Sequence, residues 1–408
     1  MKILFIVPYV PSLIRVRPYN LIRYLAARGH EITLLTLYTS LAERDDVKAL
    51  RSFCREVYAL PLPRWRSMAN SLLALPTSTP LQAMYCWQPA LSQLARELIQ
   101  KDGGFDLVHV EHLRGARYGL DLMNIKAASS ASSRRLPVVW DSVDCITLLF
   151  RQAAGQSRRL LSRWLTHFEL GRTPRYEGWL TGQFDRVLVT SSHDREALVG
   201  LMRGGALSSH VRVIPNGVDL EYYTPRNGDV PRDPATLVIS GKMSYHANVT
   251  MAVTFVEEVL PLIWQRHPEV RLVIVGKDPT AEVRALARHP AVEVTGTVAD
   301  IRPYLHRATV AVAPIQYGAG IQNKVLEAMA CGLPVVTTSR AVSALAVEAG
   351  REVLIADTPQ EFAALVIRLL EDPAYREQIA RTGRRYVEEN HPWPKVIERL
   401  EEVYDEIV

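Results

Sequence analysis

The sequence predicts an α/β protein of two Rossmann-like domains facing a cleft, and three observations carry that reading. Short β-branched runs alternate with longer helical patterns in both halves, the signature of βαβ units and parallel sheets. The chain has 408 residues, more than the roughly 100–200 of one ordinary domain. A stretch rich in Pro, Gly and Asn, VRVIPNGVDLEYYTPRNGDVP at Val211–Pro231, separates the two periodic regions. Hydrophobic residues at 48% against 22% charged supply two cores and exclude disordered, collagen-like and fibrous classes.

Taken in order, MKILFIVPYV reads as a buried first strand at Ile3–Val7 rather than a secretory leader. Pro8 and Pro11 interrupt the apolar run, and Arg15 and Arg17 follow without a small-residue cleavage site. Further strands are expected at Glu31–Leu37, Leu107–Val110, Val138–Trp140 and Arg186–Thr190. The second half repeats the count at Thr236–Ser240, Arg271–Val275, Val292–Thr295, Thr309–Ala313, Pro334–Thr338 and Glu352–Ile355. Helices at Glu361–Glu371, Ala374–Asn390 and, after HPWP, Lys395–Ile407 close the chain. Val396, Leu400, Val403 and Ile407 share one face of the last helix and mark it for packing. The expected domains are therefore 1–210, 211–392 and a helix at 393–408 returning to the first. Ligands of open parallel sheets sit beyond the carboxyl ends of the strands, which places function in the cleft.

No apolar run approaches the roughly 18–20 residues of a spanning helix. Cys54, Cys86, Cys145 and Cys331 form no CxxC pair, which argues against a zinc ribbon or disulfide framework and for a reduced, cytoplasmic chain. The net charge of +5 is unevenly divided. Residues 1–210 carry 27 Lys+Arg against 17 Asp+Glu, and residues 211–408 carry 21 against 26. A basic first domain suits an anionic surface or ligand, or is a solvated arginine-rich surface. Residues 146–180 repeat the ambiguity, with six arginines against two glutamates. There Leu160, Leu161, Trp164, Leu165 and Phe168 form a helical stripe flanked by Arg158, Arg159 and Arg163, either an interfacial helix or ordinary core packing.

The chain contains no G-x-x-x-x-G-K-[ST], no complete G-x-G-x-x-G, no H-E-x-x-H, no G-x-S-x-G and no Asp-x-Asp metal triplet, so an ATPase, a zinc hydrolase, a serine hydrolase and a metal-dependent sugar transferase of the single-domain kind all lose ground. The most informative segment is VAVAPIQYGAGIQNKVLEAMACGLPVV at Val310–Val336. A strand ends at Ala313–Pro314, a loop with Gly318 and Gly320 follows, and a helix begins near Gln322 and Asn323. Backbone N–H groups and a helix N-terminus make an anion site there. Lys324 would bring a charge to a diphosphate and Glu327 would accept from a ribose diol; the bland reading is a glycine turn with an amphipathic helix. In LVISGKMSYHAN at Leu237–Asn248, Gly241 and Lys242 sit at a second strand end. Two cations from two strand ends would clamp one diphosphate as a leaving group; alone, Lys242 reads equally as a solvated loop lysine.

These residues carry a resemblance. IPNGVDLEYYTP, GKMSYHAN, TGTVADIRPYL and GAGIQNKVLEAMACGLPVV resemble the donor half of two-domain, GT-B-type retaining glycosyltransferases of family 4. IVPYVPS, RYLAARGHEITLLT, DLVHVEH and VLVTSS resemble its acceptor half. The resemblance covers the whole chain in the family's order and is nearest to sugar transferases of exopolysaccharide clusters. It implies a nucleotide-diphosphate sugar on the second domain and an acceptor hydroxyl on the first, without cofactor or metal. By resemblance Glu327 is the second glutamate of E-x7-E, Lys242 stands where a phosphate-binding arginine is usual, and Thr297 and Val298 lie in the loop that reads the base. Three positions depart from the pattern: Ala319 replaces the first glutamate, Asn248 replaces the phosphate lysine, with Lys324 compensating, and Ser12–Arg17 replaces a glycine-rich loop. Ser12, Arg15 and Arg17 are thereby expected on the phosphate side.

The resemblance also puts a functional histidine or acid in DLVHVEH, with the register open between Glu111 and His112, while His109 reads as structural. Asp141 and Asp144 either orient acceptor hydroxyls or cap the following helix. The expected catalytic set is His112, Glu111, Lys242 and Lys324. The expected partners are a nucleotide sugar, a glycan or polyprenyl-phosphate-linked acceptor and the inner-membrane surface, not nucleic acid. A nucleotide-sugar 2-epimerase and a silent binding protein of the same architecture are the rival readings.

Overall fold

The computed structural model describes residues 1–101, 104–123, 135–154, 160–202, 208–226, 233–317 and 320–408. The chain forms two compact units, Met1–Pro215 with Trp393–Val408, and Asn216–Pro392.

The first unit is built on a seven-stranded parallel sheet in the order β3-β2-β1-β4-β5-β6-β7. Its strands are β1 Lys2–Val7, β2 Glu31–Tyr38, β3 Glu56–Pro61, β4 Leu107–Glu111, β5 Val138–Val143, β6 Arg186–Val189 and β7 Val211–Val213. Near-continuous apolar runs such as KILFIV bury on both faces, as parallel strands covered by helices must. The two strands that the sequence left unmarked, β3 and β7, are the sheet's edges. One is half-buried along most of its length and the other is three residues long, so neither carries a strong apolar signal. Because Val211 pairs with Val187 of β6, residues 211–215 belong to the first unit, and the expected boundary at 210 is corrected to Pro215. The last helix, Trp393–Asp405, packs against the helix Val16–Ala27 and buries Trp393, Val396, Leu400 and Tyr404 in the same core as Phe5, Leu21 and Ile22.

The second unit holds a six-stranded parallel sheet in the order β10-β9-β8-β11-β12-β13. Its strands are β8 Thr236–Ser240, β9 Arg271–Val275, β10 Val292–Gly296, β11 Val310–Ala313, β12 Val335–Thr337 and β13 Leu354–Ile355. Among the described residues one helical stretch, His246–Trp264, has the length and mean hydropathy of a bilayer span, but its apolar run is broken, as the sequence reading has it, by Glu257 and Glu258. They are exposed on a π turn at Phe255–Val259, while Met251, Phe255, Leu260 and Ile263 fill the core of this unit.

Both sheets reverse their winding direction once, between β1 and β4 in the first unit and between β8 and β11 in the second. Carboxyl ends of strands flanking such a switch point are where open α/β sheets bind ligands. The loops after β1, β4, β8 and β11 are therefore the places to examine.

Candidate functional site

In the second unit the segment after β8 and the helix Asn323–Ala330 after β11 meet. Gly241 leaves β8 at φ +144° and Gly276 leaves β9 at φ +153°, a region that side chains rarely adopt. A Cβ on Gly276 would lie 1.7 Å from the Gly241 carbonyl oxygen, so the two strand ends touch through backbone alone. Lys324 in the first turn of the helix reaches back to this corner. Its Nζ donates to Asn248 Oδ1 at 2.6 Å, and Asn248 Nδ2 donates to the Lys242 carbonyl at 3.0 Å. The asparagine at the position of the family's usual lysine thus orients the lysine that stands one element away. Lys242 itself is exposed, and no described residue holds its ammonium.

Burial pushes the Lys324 ammonium down to about 8, against an opposing pull from Glu327. Burial pushes the Glu327 carboxyl up to about 7, opposed by Lys324 and by its hydrogen bond with Tyr223. The two groups lie one helical turn apart on the same side of the helix, and both residues are half-buried. Asn323 Oδ1 accepts from Asn216 Nδ2 at 3.1 Å, which ties the helix start to the IPNG segment. Gln322 caps the helix without a side-chain bond to it, and Gly320 turns into it at φ +68°. Gly318 and Ala319 lie outside the described residues. Thr297, exposed, and Val298, half-buried, follow the edge strand β10. Their loop is pinned by Asp300, which accepts from Arg302 and from the Tyr222 hydroxyl, with the Arg302 guanidinium 3.9 Å over the Tyr222 ring. His246 and Tyr317 stack and share a 3.0 Å hydrogen bond beside the same corner.

In the first unit, β4 ends at Glu111 and His112 turns the chain at φ +64°, a costly value for a residue with a Cβ. Its Nδ1 accepts from the Arg114 N–H at 3.2 Å, which leaves Nε2 as the protonated nitrogen. Burial, then the Arg114 charge, pushes the imidazole down to about 3, so it stays neutral. Glu111 is buried, with Oε2 lacking a hydrogen-bond partner among the described residues. Burial and then the Asp141 charge raise its carboxyl well above the usual range, and the Tyr9 hydroxyl bonds to it. A neutral imidazole N–H and a neutral carboxylic acid are both hydrogen-bond donors to a sugar hydroxyl or ring oxygen.

Two expectations are corrected here. Arg17 does not face a ligand. It is buried, donates through Nε to Asp141 Oδ2 at 2.7 Å and through Nη1 to the Ile214 carbonyl at 2.9 Å. Asp141 is buried with it, 3.6 Å from His109 Nε2, and the Tyr404 hydroxyl meets His109 Nδ1 at 2.7 Å. This cluster ties β4, β5, the helix Val16–Ala27 and the final helix together. It withdraws Asp141 from any acceptor, and the Arg17 and His109 charges hold the Asp141 carboxyl down against burial. Nor do Asp141 or Asp144 cap the helix Ile146–Ala154. Glu177 does, accepting from the Ile146 and Thr147 N–H groups at 2.9 and 2.8 Å, and Asp194 accepts from Cys145. Asp144 accepts from Thr190 and ends a γ-turn whose centre, Val143, has φ +69°. Burial pushes its carboxyl up to about 7, helped by Asp194. Ser12 folds back on its own turn, accepting from Ile14 and Arg15, and Arg15 pairs with Glu43 at 3.0 Å and lies 4.8 Å over the Tyr9 ring. In the arginine-rich segment, Arg158, Arg159 and the side chains of Leu160, Leu161, Arg163 and Trp164 lie outside the described residues.

Asn248, Asn216, Tyr223 and His246 were not singled out as site residues from the sequence. Each lies in a segment that carried the resemblance, Asn216 and Tyr223 in IPNGVDLEYY and His246 and Asn248 in GKMSYHAN, where Asn248 was marked only as a departure from the family's lysine; their contacts depend on side chains that approach from distant elements.

Two doubly wound parallel sheets, each gathering polar groups at its switch point, define a protein of the GT-B type. Comparison with known proteins carries this further. A family model described as Glycosyltransferase Family 4 matches residues 15–222, and one described as Glycosyl transferases group 1 matches residues 234–372. The chain belongs to this family of glycosyltransferases. It is 27% identical over 243 residues to a glycogen synthase of Mycobacterium tuberculosis, covering 56% of each chain. To a D-inositol 3-phosphate glycosyltransferase 1 of Catenulispora acidiphila it is 22% identical over 340 residues, 77% of this chain and 75% of that one. The chain thus spans little more than half the length of the glycogen synthase. Among solved structures it is similar to Anabaena Alr3699/HepE in complex with UDP and glucose, with TM-score 0.69, 16% identity and 100% of both chains covered. It is also similar to a sucrose-phosphate synthase of Thermosynechococcus elongatus, with TM-score 0.68, 19% identity and 100% and 98% covered. At these identities the likeness speaks for the fold.

Proposed function

We propose that this chain transfers a sugar from a nucleotide-diphosphate donor to a polysaccharide or lipid-linked glycan acceptor, with retention of anomeric configuration and without a metal. The observation that carries the reading is the corner where Gly241, Asn248 and Lys324 meet, a protonatable amine held beside bare backbone at a switch point. Lys324, with Lys242, which has no partner among the described residues, neutralises the departing diphosphate, while Gly241, Gly320, Gln322 and Asn323 line its approach. Glu327 binds the ribose diol, and Thr297 with Val298 meets the base. Relatives whose names record sugar transfer, and a structural neighbour that holds UDP-glucose, support the donor class.

In the first unit, neutral His112 and Glu111 donate hydrogen bonds to the transferred sugar, and Asp144 and Arg15 remain available to acceptor or phosphate. Retention follows from attack on the face from which the diphosphate leaves, with the phosphate taking the hydroxyl proton. The basic balance of residues 1–210 suits a polyprenyl-phosphate-linked acceptor at the cytoplasmic face of a membrane. The test is incubation with UDP-, GDP- and ADP-sugars and an extract of native membrane lipids in chelator. Glycolipid formed with the donor's own anomeric configuration, read by NMR, is the expected result. Nucleotide release with a sugar epimerised at C2 and no need for acceptor would replace this reading.

A further inference from the structure

We propose that the outward face of the helix Arg64–Ala74 is a docking surface for an anionic lipid bilayer. The helix is inside out. Its polar Ser67 and Asn70 are buried, while Trp65, Met68, Leu72 and Leu73 are 63%, 66%, 63% and 69% exposed. Their spacing of three, seven and eight residues from Trp65 places all four on one side. Monomeric soluble surfaces scatter such side chains singly, and a contiguous set marks an interaction site.

The orientation is fixed from within the unit. Asn70 Nδ2 donates to the Trp87 carbonyl at 2.8 Å and the Tyr85 carbonyl at 3.4 Å. Arg172 donates to the Ala74 carbonyl at 3.1 Å, and Glu169 accepts from the Leu81 N–H at 3.1 Å. Rolling the apolar side inward would strand these buried polar groups, so the helix is held with its apolar face out.

Charge selects the occupant. Residues 57–96 contain no Asp or Glu and three arginines. Arg64 and Arg66 flank the apolar stripe, with the Arg66 guanidinium 5.1 Å over the Trp65 ring. Trp and Arg together are the residues of a headgroup boundary, an amphipathic ring beside a cation. A second copy of this chain in a two-fold contact would bring the same arginines face to face, whereas anionic headgroups complement them.

The surface also adjoins the first-unit site. The Tyr85 carbonyl that holds Asn70 belongs to a residue whose ring lies 5.6 Å from the Arg114 guanidinium carbon, and Arg114 N–H is the donor to His112. A bilayer at this helix would present a lipid-linked hydroxyl close to His112; that purpose rests on the proposed transferase reading, whereas the docking does not.

The test is sedimentation of the full chain with phosphatidylcholine vesicles, with and without phosphatidylglycerol. The wild type, Trp65→Ser/Met68→Ser/Leu72→Ser and Arg64→Gln/Arg66→Gln are compared, with melting temperature and light-scattering mass in parallel. The expected result is binding to the anionic vesicles at least tenfold tighter than to the neutral ones. Each multiple variant should lose it at least tenfold with melting unchanged. Equal binding by the apolar triple variant overturns the proposal, as does no binding by wild type. A wild-type dimer that the triple variant dissociates, without vesicle binding, would assign the surface to a second copy. Nucleotide titration of the same samples separates the two claims. Vesicle binding without nucleotide binding would leave the docking and remove the transferase reading, and the reverse would remove only the docking.

Discussion

At the end of β8 the site is made of bare backbone, two glycines in contact and a lysine held by one asparagine, whereas at the end of β4 it stands on a buried network of charged and strained residues. The first arrangement spends little of its polar chemistry on folding: Lys242 has no described partner and Lys324 has one. In the second, Arg17, Asp141, His109 and Tyr404 are engaged with one another, while Glu111 keeps a carboxyl oxygen with no hydrogen-bond partner among the described residues. Substitution in the two regions should therefore separate stability from binding.

The largest effect is expected at Asp141. Removing one member of a buried ion pair leaves an uncompensated charge, so Asp141→Ala should lower the unfolding free energy by about 3–5 kcal/mol in urea titration. If it costs under about 1 kcal/mol, the network is not what holds this region. Next is Gly276→Ala, whose methyl collides with the Gly241 carbonyl. It should cost about 1–3 kcal/mol of stability and abolish nucleotide binding. Retained affinity would separate the strand-end contact from the donor site. His112→Gly sharpens the contrast from the other side. Glycine takes φ +64° freely, relieving about 1–2 kcal/mol of strain against a smaller entropic loss, so stability should hold or rise while sugar transfer falls. A destabilised variant with normal turnover would make His112 a structural residue.

The smallest effect is in pH. Lys324 sits near 8 in the free protein, and a bound diphosphate favours its charged form, so the complex holds more protons than the free chain. Affinity should then fall as pH rises through about 8, by no more than tenfold per pH unit, with proton uptake visible as a buffer-dependent enthalpy. A flat profile from pH 7 to 9.5 would place Lys324 away from the phosphates.

The same contrast explains what could be read from the residues alone. That the segments of the second-unit corner end beside one another was legible because Gly241, Lys242, Lys324 and Glu327 lie in two short contiguous segments, each marked locally by a strand end, a glycine or a helix start. The first-unit network joins residues 17, 109, 141 and 404, and no local pattern tells an arginine that meets phosphate from one that meets a buried aspartate. The edge strands β3 and β7 were lost for a related reason, since half-buried or three-residue strands lack the apolar run that marks β1 or β9. The final helix was legible from its stripe of Val396, Leu400 and Val403.

The central claim is that the second unit binds a nucleotide diphosphate at the Lys324 corner. Its most direct test is calorimetric titration of UDP, GDP, ADP and CMP, in chelator, into wild type, Lys324→Ala and Glu327→Ala. The account predicts that one nucleoside diphosphate binds selectively and that each substitution weakens it at least tenfold, about 1.4 kcal/mol, with melting temperature little changed. Absence of binding, or wild-type affinity in both variants, would contradict it.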